Sequence, residues 1–166
     1  MLNTGVMMKT TTTICLALVA AVGMFDSASG QQSQALQRRL QAAPGLTCTF
    51  SVIGTGTWNQ NKPEITVGEA TLEVGFTNIL VDEGTADAVG EFGASFISVR
   101  YAQGYLHLMQ ASDAGPLYIT TVLAREAGAG RLMAVHTRLE YSPTVVPGFT
   151  SRPEMYVGTC AIEDPA

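Results

Sequence analysis

Between Thr71 and Leu80 the chain alternates. Leu72, Val74, Phe76 and Leu80 share one parity, and Glu73, Gly75 and Thr77 share the other. A period of two belongs to an extended strand, whose side chains leave on opposite faces, so this stretch predicts a strand with one buried and one wet face. The same texture continues on both sides. From Leu46 onward Val, Ile, Thr and aromatic residues dominate, broken by Gly, Asn, Asp and Pro about every 8–12 residues, which is an all-β pattern. Strands are predicted near Thr47–Trp58, Thr71–Leu80, Thr85–Glu91, Ser95–Ala102, Tyr105–Ala111, Leu117–Ala124, Leu132–Tyr141 and Met155–Glu163. In the first of these, Cys48, Phe50, Val52 and Trp58 fall on the apolar parity. Turns are expected at Asn59–Pro63, Ala102-Gln103-Gly104, Ser112–Pro116 and Glu126–Gly130. The expected fold is all-β: a single antiparallel meander of about eight strands, closed as a barrel or folded as a two-layer sandwich, with a short N-terminal helical arm. Closure is favoured because it removes exposed strand edges.

The N-terminal segment reads differently. Lys9 is the only charge before Asp26, and Ile14 to Phe25 form a twelve-residue apolar run followed by Ser27-Ala28-Ser29-Gly30. That run falls short of the roughly 20 residues a membrane span needs. It fits the core of an export signal, which takes about 7–15, with small residues at the cleavage site. The expected organisation is a signal peptide over 1–30, a helical arm or linker over 31–45 and a β domain over 46–164. The arm is rich in Gln, Ala, Leu and Arg and stops at Pro44-Gly45. A secreted or periplasmic location follows, with no membrane span after the signal is removed.

Composition narrows the function. Nine Lys and Arg against fourteen Asp and Glu give a net charge of −5, so no basic surplus exists to displace counterions from nucleic acid. Apolar residues make up 46% and charged ones 14%, which argues against intrinsic disorder. Loss of residues 1–30 removes Cys15 and leaves Cys48 and Cys160. Two cysteines in an exported chain predict one disulfide, and here it would tie the first strand to the last. The alternative is a pair of buried thiols.

Catalytic chemistry has little support. The histidines are His107 and His136, so any acid/base step or zinc site depends on them. His136, Arg138 and Glu140 share a strand face and read as a polar stripe. There is no G-x-S-x-G elbow, and Gly54-Thr55-Gly56 has no following helix to bind phosphate. No catalytic set, metal site or cofactor is expected; an enzyme using His107 or His136 is the least supported alternative. Pro147–Glu154, with Phe149 and Arg152 between two prolines, predicts a stiff loop, either a rim for a ligand or partner or an ordered connector.

Gly56-Thr57-Trp58 resembles the G-x-W motif on the first strand of lipocalins. The resemblance implies an eight-stranded calyx holding a small apolar molecule, with an arginine from near the last strand packed across the tryptophan. Arg152 is the positional candidate. Two features depart from the family: the chain left after export is short, and the motif lies toward the end of its strand. The expected ligand-lining residues are Trp58, Phe76, Leu106, Leu108, Tyr118 and Val135, with Arg152 at one end. The alternative function is a non-enzymatic structural or protein-interaction domain without a pocket. Oligomeric state and ligand identity are left open.

Overall fold

A computed structural model describes residues 30–90, 93–113, 115–142 and 152–163. The expected export segment and most of the Pro147–Glu154 loop, Phe149 included, lie outside the described residues. The chain divides between Ala35 and Leu36. Of the first unit, residues 30–35 are described; they are helical and exposed. The second unit holds the remaining helical turns, to residue 41, and eight strands. These are β1 (Gly45–Asn59), β2 (Lys62–Leu80), β3 (Thr85–Gly90), β4 (Gly93–Ala102), β5 (Tyr105–Ala111), β6 (Leu117–Gly128), β7 (Arg131–Leu139) and β8 (Glu154–Glu163).

Each strand pairs antiparallel with the next, and β1 pairs with β8, so the meander is a closed barrel. Three of its hairpins turn on two residues with positive φ: Gln60-Asn61, Gln103-Gly104 and Ala129-Gly130. That backbone twist matches the twist of the strands it joins. The seam is sewn by a disulfide between Cys48 and Cys160, which sit opposite each other in register with Cα atoms 3.9 Å apart. Among the described residues no helix is long and apolar enough to cross a membrane.

An eight-stranded barrel is just wide enough for its own side chains to fill it, and at one end they do. Leu46, Phe76, Ile79, Val99, Leu106, Val122 and Leu132 are buried there together with Leu40 and Ala43 from the arm. Leu40 has no exposed surface. Ala35, Leu36 and Leu40 are too few for a broad amphipathic stripe, but Leu40 and Ala43 are buried in the core and Leu36 packs against it. Tyr101 donates to the Gln37 carbonyl at 3.1 Å, and the Ile79 amide donates to the Pro44 carbonyl at 3.1 Å, so the arm is tied to β2 and β4.

Three details correct the strand-level expectations. The register of β1 slips between Phe50 and Val52 against both of its neighbours. This bulge reverses the parity: Phe50 is 2% exposed, whereas Val52 and Trp58 are 42% and 56% exposed. A second slip, between Thr77 and Leu80 with Asn78 at φ 51°, buries Ile79 and turns Leu80 outward. Finally, β2 begins at Lys62 and not at Thr71. Its first residues pair only with β1 and are exposed on both faces, so no burial alternation marks them.

Candidate functional site

The interior changes character along the barrel axis. Leu106, Val122, Ala134, Gly158 and Phe50 lie side by side across β5, β6, β7, β8 and β1. One step away from the arm the matching positions are Leu108, Thr120, His136 and Tyr156, and one step further Gln110, Tyr118, Arg138 and Glu154. The strand alternation that buries the apolar row therefore also points this polar set inward. The end of the barrel away from the arm carries the candidate site.

Its polar groups are largely paired. Thr120 Oγ1 and His136 Nδ1 share a hydrogen bond of 2.8 Å. Tyr118 donates to Glu140 at 2.9 Å, and Tyr156 donates to Glu154 at 2.6 Å. Arg138 lies over the Tyr156 ring, 5.3 Å from its centroid, a cation–ring contact. Phe50 and Tyr156 flank the imidazole of His136 at 5.7 and 5.8 Å between ring centroids. Burial, assisted by the Arg138 cation, pushes His136 down to about 4, so the ring is neutral near pH 7. Burial first, and then donation to Glu154, pushes the Tyr156 phenol up to about 12. Burial and the bond to Glu140 raise Tyr118 in the same direction.

A cavity of about 30 Å³ remains inside this end. One wall is apolar, built from Val74, Phe76, Ala88, Ile97 and Leu108; the other is Gln110, Tyr118, Thr120 and His136. No charged side chain lines it among the described residues. A larger, solvent-open depression of about 560 Å³ lies beside the arm. Its lining is exposed apart from Ile79 and Val81, and it holds no buried polar group. Volume favours that groove, and convergent polar groups favour the interior.

The predicted lining residues separate. Phe76, Leu108 and Tyr118 meet on the cavity wall. Leu106 is fully buried one layer toward the arm. Val135 has the opposite parity from buried Ala134 and His136, so it faces outward on β7. Trp58 stands on the exposed β1–β2 hairpin, edge-on to Tyr141 at 5.8 Å. Arg152 is exposed just before β8, and the arginine placed over a ring, among the described residues, is Arg138. His107 and His136 do not converge: His107 alternates with buried Leu106 and Leu108, so it lies on the outer face and meets Thr121 at 3.0 Å. Among the described residues no group of three or more His, Cys, Asp or Glu could hold a metal ion.

Gln110, Thr120, Arg138 and Tyr156 were not singled out by the sequence as interior residues. The signal was present in β7, where His136 and Arg138 continue the parity of Leu132 and Ala134. Fold and site together define a closed, up-and-down, eight-stranded barrel with an amphipathic cavity at one end. Comparison of the chain with protein-family models, curated proteins and solved structures finds no match. The resemblance to lipocalins thus rests on Gly56-Thr57-Trp58 alone, and here that tryptophan lies on the outside.

Proposed function

We propose that this chain is an exported, non-enzymatic barrel that binds a small, mainly apolar molecule in its interior, at the end away from the arm. The observation that carries the reading is the two-sided cavity. An apolar wall and a polar wall face each other across the small cavity lined by described residues at the end away from the arm, as in sites that draw affinity from apolar contact and orientation from a few polar groups. Export is supported by the apolar run Ile14–Phe25 and by a disulfide in a chain of this size. The test is native mass spectrometry of the exported protein, with methyl NMR spectra before and after any bound molecule is stripped. A released small molecule whose removal shifts the Val74, Ile97 and Leu108 methyls supports the reading. A bare chain whose methyls also ignore an apolar fragment set overturns it.

A second reading, a protein-interaction domain, is favoured by one observation. Ile65 and Val67 on β2 are 78% and 76% exposed. They lie in register with Gly56 and Gly54, and beyond Gly54 comes exposed Met155 on β8. An apolar outer band of this kind is a contact surface in many proteins. Light scattering at increasing concentration, with Ile65→Lys and Val67→Lys as controls, tests for self-association through it.

A further inference from the structure

We infer that the overhanging half of β2 is a pairing edge for a second copy of this chain, the two β2 strands joining antiparallel about a two-fold axis at Thr66. This rests on the reading of the chain as a protein-interaction domain and goes further by naming the partner, the bonds and the register. The barrel closes its wall but leaves this edge bare. β1 pairs with β2 from Lys62 onward, whereas β3 pairs with it only from Gly75 to Leu80. Among the described residues, no strand covers the other edge of β2 between Lys62 and Val74. One hydrogen bond shows which backbone groups line that edge. The Gly56 amide donates to the Pro153 carbonyl at 2.8 Å, away from β2. Gly56 and Ile65 are therefore a non-hydrogen-bonded pair, and the Ile65 amide and carbonyl point away from β1. Alternation turns those of Val67 and Glu69, and the Pro63 carbonyl, the same way.

A row of unpaired strand groups is a template for an extended strand, and side-chain order and length select a second β2. The centre of the edge, Ile65-Thr66-Val67, is uncharged and β-branched, with Ile65 and Val67 78% and 76% exposed. Lys62, Pro63, Glu64 and Glu69, residue types that discourage edge pairing, flank it and confine pairing to the centre. With the axis at Thr66, Ile65 of each copy lies opposite Val67 of the other. Each such pair exchanges both of its hydrogen bonds, and the four side chains meet on the outer face. The Glu69 amide donates to the Pro63 carbonyl of the other copy. Lys62 falls opposite Ala70 and Glu64 opposite Gly68, so no acidic residue faces another. An axis at Ile65 would set Pro63, which has no amide, opposite Val67. An axis at Val67 would carry Pro63 onto Thr71, where the register of β2 against β1 shifts. Length fits as well: the turn residues Asn61 and Gln60 of the second copy fall opposite Thr71 and Leu72, short of Gly75 where β3 takes over the edge. The two barrels then lie at opposite ends of a shared four-stranded ribbon. Such a self-complementary contact closes at two copies and does not propagate.

The experiment uses the whole exported protein with its buried Cys48–Cys160 bond intact. Analytical ultracentrifugation should show a monomer–dimer equilibrium. Thr66→Cys should give a disulfide-linked dimer under mild oxidation, because a non-hydrogen-bonded antiparallel pair holds its Cα atoms about 4.5 Å apart, within disulfide reach. Glu64→Cys should not, because the two copies of that position stand roughly 13 Å apart along the strands. Val67→Pro removes an edge amide from each copy without touching the bonds to β1, and should weaken dimerisation at least tenfold with an unchanged circular dichroism spectrum. Because a proline variant could fail to fold, the two cysteine variants, both at exposed positions, decide the register on their own. A dimer that cross-links as readily through Glu64→Cys as through Thr66→Cys, or one that a folded Val67→Pro leaves unweakened, overturns the inference and leaves contact through the apolar band standing. A chain that stays monomeric at every concentration, with no cross-link in Thr66→Cys, overturns the inference and self-association through the band together.

Discussion

Thr120 Oγ1 and His136 Nδ1 lie 2.8 Å apart inside the barrel, and their bond holds a neutral imidazole in a place where an imidazolium would be poorly solvated. The consequence is a pH dependence of stability. His136 is held at about 4 in the folded chain, against about 6.5 when unfolded. Between those values the unfolded chain binds more protons than the folded one, so stability rises with pH across this window. The contribution is fully present above pH 6.5 and is lost as pH falls toward 4. The size is up to about 3 kcal/mol. Urea denaturation at half-unit steps from pH 4 to 7 should show this slope, and His136→Phe should flatten it.

Reduction of Cys48–Cys160 should lower stability strongly. The bond spans a sequence separation of 112 residues, and releasing a loop near that length frees about 4–5 kcal/mol of unfolded-state entropy in the chain-entropy account. A fall in Tm of roughly 10 °C or more is expected in reductant. An unchanged melting curve would contradict a structural role for the bond.

Gly158 admits no side chain. A Cβ there would overlap the Thr49 carbonyl and sit 2.6 Å from Phe50 Cα, at the bulge where β1 crosses the seam. Both obstacles are backbone, so they cannot turn aside. Gly158→Ala should cost at least about 3 kcal/mol, the upper end of overpacking effects. Gly54→Ala, whose nearest neighbour would be 3.8 Å away, is the control and should cost no more than about 0.5 kcal/mol. Chemical denaturation of the pair decides it.

Leu40 has no exposed surface although its helical neighbours Arg38, Arg39 and Gln41 are exposed. Leu40→Ala should therefore behave as a core truncation and cost about 2–5 kcal/mol. Denaturation midpoints showing no more than a surface effect would mean that the arm is not part of the folded unit.

The strands were legible wherever the alternation ran unbroken. Tyr105–Ala111 is the clearest case: Leu106 and Leu108 point in, His107 points out, and the predicted limits coincide with β5. Val52 and Trp58 depart from the expected parity because of the bulge between Phe50 and Val52, which lies against Gly158 of the last strand. A local repeat carries no trace of so distant a neighbour. The outer half of the β1–β2 hairpin was missed on one side because strands exposed on both faces have no buried parity to read. The site was partly legible: Phe76, Leu108 and Tyr118 were named, and they meet. Its polar wall was harder to see. His136-Thr137-Arg138-Leu139-Glu140 looks like a wet face in isolation, and only the continuation of the Leu132 and Ala134 parity turns it inward.

The pairing of β1 with β8 also governs how the molecule can be made. β1 comes first among the strands, yet one of its two hydrogen-bonding edges has no partner until Glu154–Glu163 is present. Without β8 the meander is an open ribbon with a bare margin, and the hairpins from β1 to β7 leave that margin unpaired. The final strand is thus more than one part of the wall. It is the keystone, and a chain cut short before it would be left with an adhesive edge in place of a seam.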